Sequence, residues 1–317
     1  MKFKLYSVIL AILIALEIII IYNLGRKIQI KFFPFKSVTV MSKKDLIFKT
    51  DGDLNYFYEP KPNSHKSTQP KWLPYKAEYS INSDSLNERF EYAQEKPANT
   101  FRIVTLGDSF TYGLHVNTKD NYSEKLEDLL NTKLKCNNIK KFEVLNLGMM
   151  GYDVRFAVER FKSRGQKYNP DLVIWILKYD DFDEISEVSQ DLMKKYLKQP
   201  PSTADVWEFI HKKLMDEYGT KKVYEYQEKA LSLINRYYKN DLLIFSFNQL
   251  YKSHYIDNEK IIKNFISSRP KTYLYIMNYL KNNELLPDSH PNVNGHLTIA
   301  QNLFNYLLQN ILLNCNS

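Results

Sequence analysis

The sequence has few cysteines and few glycines. It contains 2 Cys and 9 Gly against 24 Tyr in 317 residues. Neither Cys136 nor Cys315 lies in a CxxC or Cys/His arrangement, which argues against a structural zinc site. Spacing alone leaves open whether the two form a disulfide. An apolar fraction of 44% is enough for a sizeable core and excludes a disordered chain. The length suits one large domain with a small appendage.

The positive charge is dispersed along the chain. The net charge is +8, yet no block of five or more Lys and Arg residues occurs. Such a surface is either simply solvated or attracted to anionic partners such as lipid headgroups and acidic glycans. Nothing in the sequence matches a nucleic-acid-binding module, so we expect no nucleic-acid partner.

The first apolar segment is long enough to span a bilayer. Residues 5–22 form a nearly unbroken apolar run, and about 18 residues suffice for a transmembrane helix. No small-residue cleavage site follows, so the run predicts an uncleaved, single-pass anchor rather than a signal peptide. Glu17 inside it would have to be protonated, snorkelling or paired. Basic residues flank both ends, so charge alone leaves the orientation open.

The chain divides into three segments. We predict a transmembrane anchor over 1–25, a stalk and entry segment over 26–100, and a catalytic domain over 101–317. Residues 56–75 carry four prolines, which favours extended or irregular chain there.

Strands and helices alternate after residue 100. Apolar runs predict buried strands at 101–106, 142–147, 171–177 and 242–247, and helical spacing predicts helices at 122–135, 154–163, 182–240 and 294–312. This alternation is typical of an α/β fold with a parallel sheet and helices on both faces. Such sheets place their sites at the carboxyl ends of the strands.

Two short motifs follow the first two predicted strands. In the Gly-Asp-Ser-Phe motif at 107–110, Ser109 could be an exposed nucleophile at a helix start. Asp108 and Ser109 would also serve as ordinary helix caps. In the Asn-Leu-Gly-Met-Met-Gly motif at 146–151, the glycines could let backbone N–H groups approach an oxyanion, or could form a plain turn.

A third motif precedes the last predicted helix. Asp288 lies two residues before His290, where it can orient the imidazole and stabilise its charged form. Asp288, His290 and His296 could also suggest metal ligands, but we favour a structural role for His296. His115 and His254 have no motif context and are interpreted as ordinary side chains.

Together the three motifs resemble those of the SGNH/GDSL hydrolase superfamily. Gly-Asp-Ser-Phe is similar to its first block, Asn-x-Gly-x-x-Gly to its second, and Asp-x-His-Pro-Asn-x-x-Gly-His, at 288–296, to its last. Residues 58–63 and 81–84 also resemble the entry segment of membrane-anchored bacterial members. The resemblance covers roughly 56–310. It implies a three-layer flavodoxin-like fold, an extracytoplasmic catalytic domain, and hydrolysis of O-acyl esters through an acyl-enzyme.

The third block departs from the family pattern at Asp180. The family has an asparagine there, whose side-chain N–H binds the oxyanion. An ionised Asp180 cannot donate and would repel the developing charge. Either burial and the neighbouring Asp181 and Asp183 keep it protonated, or the enzyme works without this donor, or it is weak or inactive.

The predicted mechanism is that of a serine esterase without metal or organic cofactor. Ser109 is the nucleophile, His290 the base and Asp288 its orienting acid. The N–H groups of Ser109 and Gly151 bind the oxyanion, with Asp180 a doubtful third donor. The expected substrate is an acyl ester, favoured as acetyl, on an envelope glycan, a lipid or a small molecule. An O-acyltransferase with the same triad and a degenerate glycan-binding protein are the alternatives. The oligomeric state stays open.

Overall fold

The structure, a computed structural model, describes residues 46–51, 54–196 and 204–316. The strands are β1 (Leu46–Asp51), β2 (Leu54–Pro60), β3 (Ser64–Thr68), β4 (Ala77–Ile81), β5 (Thr100–Leu106), β6 (Lys135–Cys136), β7 (Lys141–Asn146), β8 (Leu172–Ile176), β9 (Asp241–Phe247), β10 (Thr272–Met277) and β11 (Cys315–Asn316). The α-helices are α1 (Ser109–Tyr112), α2 (Tyr122–Lys133), α3 (Val154–Arg160), α4 (Ser186–Tyr196), α5 (Ala204–Tyr218), α6 (Thr220–Ser232), α7 (Ile234–Tyr237), α8 (Asn258–Ser268) and α9 (Val293–Asn310).

The central sheet has five parallel strands in the order β10-β9-β8-β5-β7. When these five strands are numbered in chain order and read from β7 to β10, the order is 2-1-3-4-5, which is the flavodoxin-like arrangement. The chain reverses its direction of winding between β5 and β8. Open parallel sheets bind their ligands outside the carboxyl ends of the strands at such a switch point. The predicted α/β class and parallel sheet are therefore confirmed.

Helices cover both faces of the sheet because its strands are apolar on both sides. Along β8, Leu172, Ile174 and Ile176 join a core with α2 and α9. Val173 and Trp175 join a second core with α3, α6 and α8 on the opposite face. Alternate residues of a strand point to opposite faces, so continuous apolar runs mark strands buried on both sides.

Four strands of the sheet were predicted from the sequence to within about a residue, and the fifth was not. Strand β10 lies at the edge of the sheet, where most of its residues are only partly buried. Its Tyr-rich sequence lacks the continuous run of small aliphatic residues that marks the inner strands. The helix α8 that precedes it was also missed.

The described part of the predicted stalk and entry segment packs on the sheet domain. Strands β3 and β4 form an antiparallel hairpin, and β1 pairs with β2 in another. In β4, Ala77, Tyr79 and Ile81 bury one face of the strand in a third core. Tyr112 and Met149 of the sheet domain belong to the same core. The alternate buried residues of β4 therefore pack this segment against the sheet domain.

No helix within 46–51, 54–196 and 204–316 is long and apolar enough to cross a membrane. The predicted anchor at residues 5–22 lies outside the described residues.

Cys136 and Cys315 form a disulfide, which settles the point that spacing left open. Their Cα atoms lie 4.2 Å apart, and they are 179 residues apart in sequence. The bridge joins the paired strands β6 and β11, so the C-terminal end of the chain is fastened beside the sheet.

Candidate active site

The turn that holds Ser109 follows β5 directly. Gly107 has a φ of +148°, and a Cβ on it would lie 2.3 Å from Thr111 Oγ1, so the turn requires glycine. Asp108 caps α1, because its Oδ1 atom accepts a hydrogen bond of 2.9 Å from the Phe110 N–H. Ser109, the first residue of α1, remains half-buried. Asp108 therefore caps the helix, as expected, and Ser109 is still accessible.

The structure brings Ser109, His290 and Asp288 together. Ser109 Oγ lies 2.8 Å from His290 Nε2. His290 Nδ1 lies 3.0 Å from Asp288 Oδ2, and the backbone N–H of His290 donates to Asp288 Oδ1 over 3.3 Å. The residues come from opposite ends of the domain, and the serine and histidine are 181 positions apart. Their order in space is that of a hydroxyl, a base and an orienting carboxylate.

His290 Nδ1 lies close to Asp288 Oδ2, but the two atoms are not aligned for a hydrogen bond. Burial would raise the pKa of Asp288. Contacts with His115 and His290 outweigh that effect and hold the pKa of Asp288 well below its ordinary value. The carboxylate is therefore ionised at neutral pH and can stabilise a positive charge on His290.

His115 is a site residue that the sequence analysis left without a role. Its Nε2 atom lies 3.1 Å from Asp288 Oδ2, the same oxygen that His290 approaches. A lone histidine in a loop gives no signal in sequence, because its partner lies more than 170 positions away. Among the described residues, His115, Asp288 and His290 form the one group whose possible metal-ligating atoms all lie within 4.8 Å of one another.

His296 lies apart from this group. It is fully buried, and its Nδ1 atom accepts a hydrogen bond of 3.2 Å from the Tyr122 N–H. Burial lowers the pKa of His296 to about 3, so its ring stays neutral. This geometry fits the structural role that we favoured for it.

The loop with the second motif lies beside the serine turn. The Met149 N–H donates to the Gly107 carbonyl over 3.2 Å. Asn146 Nδ2 donates to the Thr111 carbonyl over 2.8 Å, and a Cβ on Gly148 would lie 2.4 Å from the Tyr112 nitrogen. Gly151, with a φ of +68°, ends this loop in the left-handed region that favours glycine. The glycines thus allow the two loops to approach closely.

Asp180 forms an ion pair with Lys178. Lys178 Nζ lies 2.9 Å from Asp180 Oδ2 and 3.0 Å from Asp108 Oδ2. Burial would raise the pKa of Asp180, but Lys178 outweighs it and holds the pKa below its ordinary value. Burial and the carboxylate of Asp108 instead raise the pKa of Asp181 well above the usual range. Of these two neighbouring carboxyl groups, Asp180 is therefore the one whose charge is stabilised.

The fold and these side chains define a doubly wound α/β protein with a Ser–His–Asp arrangement at the carboxyl end of its sheet. The turn with Ser109 follows the first sheet strand, the glycine loop follows the second, and the Asp–His pair precedes the last helix. That layout agrees with the resemblance to SGNH/GDSL hydrolases seen in the sequence.

Neither a family model nor a curated protein matches the chain, whereas solved structures do. One is a two-domain esterase active on acetylated mannans, with 15% identity over 66% of this chain and a TM-score of 0.40. The match spans 49% of that esterase, about half its length. The psychrotrophic esterase EstA from Pseudoalteromonas sp. has 14% identity over 66% of this chain and 97% of its own, with a TM-score of 0.42. The acetyl xylan esterase Est2A from Butyrivibrio proteoclasticus has 12% identity over 68% of this chain and 64% of its own, with a TM-score of 0.40.

Proposed function

We propose that this protein is a serine esterase that hydrolyses O-acyl esters through an acyl-enzyme. The observation that carries this proposal is the 2.8 Å contact between Ser109 Oγ and His290 Nε2, with Asp288 behind the imidazole. A hydroxyl at that distance from a ring nitrogen can pass its proton to the ring as it attacks a carbonyl.

The proposed reaction has two halves. Ser109 Oγ attacks the ester carbonyl while its proton moves to His290 Nε2, and the carbonyl becomes a tetrahedral oxyanion. His290 then gives this proton to the leaving alcohol, and the acyl group remains on Ser109. Water then attacks the acyl-enzyme while its proton moves to the same nitrogen, and His290 returns this proton to Ser109 Oγ as the bond to the acyl group breaks and the acid leaves. Asp288 orients His290 and stabilises its charged form in both halves.

We assign the oxyanion to the backbone N–H groups of Ser109 and Gly151. Asp180 takes the place of the family asparagine and, being ionised, has no hydrogen to donate. Lys178 offsets the negative charge of Asp180, which limits its repulsion of the oxyanion. The proposed enzyme therefore works with backbone donors alone.

The proposed substrate is an acetyl ester on a glycan or lipid of the cell envelope. The net charge of +8 favours an anionic surface or polymer near the protein. Residues 5–22 are proposed to anchor the chain in a membrane with the catalytic domain on the extracytoplasmic side. A disulfide suits an oxidising compartment, which supports that side. Retention of the chain in carbonate-washed membranes and its reaction with a non-permeant label on intact cells test these two points.

The test of the enzyme itself uses the full chain in detergent, with p-nitrophenyl acetate as substrate and a fluorophosphonate as label. We expect turnover and labelling in the wild type and loss of both in Ser109→Ala. Ser267→Ala is the matched control, because this exposed hydroxyl in α8 bonds only to the Asn264 carbonyl and should have no effect. Turnover that survives in Ser109→Ala would refute the proposal. Acetyl transfer to an added sugar in excess over hydrolysis would make the protein a transferase.

A further inference from the structure

The orienting carboxylate has a second histidine partner. His115 Nε2 lies 3.1 Å from Asp288 Oδ2, and His290 Nδ1 lies 3.0 Å from the same oxygen. The two imidazole rings meet edge to face, with centroids 5.8 Å apart. His115 is only 2% exposed, whereas the side chain of His290 is 21% exposed. Asp288 therefore faces a buried histidine on one side and the proposed base on the other.

The tautomer of a neutral His115 ring follows from its surroundings. Its Nδ1 atom is buried and has no hydrogen-bond partner among the described residues. A buried N–H without an acceptor is costly, so the single proton of a neutral ring belongs on Nε2. In that form His115 donates to Asp288 Oδ2 and competes with His290 for the same carboxylate oxygen.

The backbone of His115 is held in an unfavourable conformation by the entry segment. Its φ is +69°, in the left-handed region that a residue other than glycine rarely adopts. The His115 N–H donates to Tyr79 Oη over 2.8 Å, and Tyr75 Oη donates to the His115 carbonyl over 3.1 Å. The ring of Trp72 packs edge to face on the imidazole at 4.9 Å. A strained backbone conformation of this kind persists only where several surrounding contacts hold it in place. Such residues are found mostly at functional sites.

We propose that His115 is a positioning residue for the esterase reaction, and that residues 72–79 of the entry segment complete the active site by holding it. This inference rests on the proposed function. His115 fixes the rotation of the Asp288 carboxylate and takes up part of its charge. His290 then contacts a carboxylate that is already oriented. Because part of its charge is taken up by His115, this carboxylate also attracts a proton to the His290 imidazole less strongly.

The test measures kcat, KM and the pH profile of kcat/KM on p-nitrophenyl acetate with the full chain. In His115→Ala, we expect kcat to fall about 10- to 100-fold with little change in KM, as when an interaction made in the transition state is lost. The acid limb of the profile should also move to higher pH, because the whole charge of Asp288 then acts on His290. His115→Gln keeps an N–H donor and should recover part of both effects.

Two further variants test the role of the entry segment. Tyr79→Phe removes only the acceptor for the His115 N–H, and should reproduce a weaker form of the His115→Ala effects. Tyr112→Phe is its matched control, since the centroids of the Tyr112 and Tyr79 rings lie 5.2 Å apart and the buried Tyr112 hydroxyl has no hydrogen-bond partner among the described residues. It should leave the profile unchanged.

Each outcome decides a different point. A wild-type pH profile in His115→Ala, beside an inactive Ser109→Ala, overturns this inference and leaves the esterase standing. Loss of kcat in His115→Ala with no movement of the acid limb makes His115 merely structural and also overturns it. A wild-type chain that neither turns over the ester nor reacts with the fluorophosphonate overturns the proposed function, and this inference with it.

Discussion

The ammonium group of Lys178 lies 2.9 Å from Asp180 Oδ2, at the position where the SGNH/GDSL pattern that the sequence resembles has an asparagine. The Lys178 side chain is 15% exposed and also contacts Asp108 at 3.0 Å. A charge that is largely removed from water needs such partners. The negative charge of Asp180 is thus balanced locally by a cation, which explains how a carboxylate can occupy this position.

Replacing Asp180 by asparagine should increase activity. Asp180→Asn supplies a side-chain N–H where Asp180 has none, and one oxyanion donor is worth about 10²–10³ in kcat. We expect a gain of at least about 10-fold in kcat on p-nitrophenyl acetate, less than the full value because the loops are built around the ion pair. Asp180→Ala is the control, since it removes the charge without adding a donor. An equal gain in both variants would show that charge, not donation, limits the wild type.

Asp288→Asn should lower kcat by about 10⁴ with little change in KM, because the amide favours the wrong tautomer of His290. Single and double variants of His290 and Asp288 should not be additive if the two act as one unit. We therefore expect His290→Ala/Asp288→Asn to be no slower than His290→Ala. Additive losses would mean that Asp288 acts independently of the base.

Glu127 makes the stability of the fold depend on pH. Burial raises the pKa of Glu127 to about 7, although Val144 N–H and Tyr92 Oη both donate to it. Between the ordinary value of 4.5 and about 7, the folded state holds a proton that the unfolded state has lost. This group therefore lowers the free energy of unfolding as pH rises through that window, and its effect is complete above it.

Glu127→Gln should remove that contribution. Relative to wild type, the variant should gain about 3 kcal/mol in free energy of unfolding between pH 4.5 and pH 7.5. Urea unfolding at these two pH values, followed by tryptophan fluorescence, measures the change. Glu259→Gln, in an exposed pair with Lys263, is the matched control and should show none. A variant whose stability follows the wild type at both pH values would contradict this assignment.

A buried ion pair fastens the entry segment to the sheet domain. Glu59, fully buried, pairs with Arg160 and accepts a hydrogen bond of 2.9 Å from Arg164 Nε. Glu59→Gln leaves buried positive charge without its counterion, and should destabilise the fold by about 3–5 kcal/mol. Limited trypsin digestion should then cut residues 54–99 faster. Glu78→Gln, in an exposed pair with Lys76, should change neither result.

Four strands of the sheet could be predicted from sequence because each is a short apolar run that ends in a glycine or a polar motif. Residues 172–176 show why: all five are buried, so no alternation interrupts the run. Strand β10 escaped prediction because five of its six residues are only partly buried, whereas β7, at the opposite edge of the sheet, has five of its six residues buried and was predicted. The composition of a strand therefore reports its burial rather than its position in the sheet.

Within the site, the sequence predicted Ser109, Asp288 and His290 because each lies in a motif next to a predicted strand or helix. It could not predict His115, whose contact with Asp288 depends on the left-handed backbone that Tyr75 and Tyr79 hold in place. It also could not decide whether the charge of Asp180 is stabilised. That outcome depends on the placement of Lys178 Nζ between Asp108 and Asp180, which is a matter of tertiary structure.

The bridge between Cys136 and Cys315 turns residues 136–315 into a covalent ring. Most of the sheet, the glycine loop and the Asp288–His290 pair lie within this ring. Ser109 and His115 lie outside it, in the part of the chain that precedes Cys136. A single proteolytic cut within the ring would leave both fragments joined. Force applied to the two chain ends would extend only the residues outside the ring, because the disulfide carries the load past the ring. The residues within the ring would add to the extended length only after the bridge is reduced.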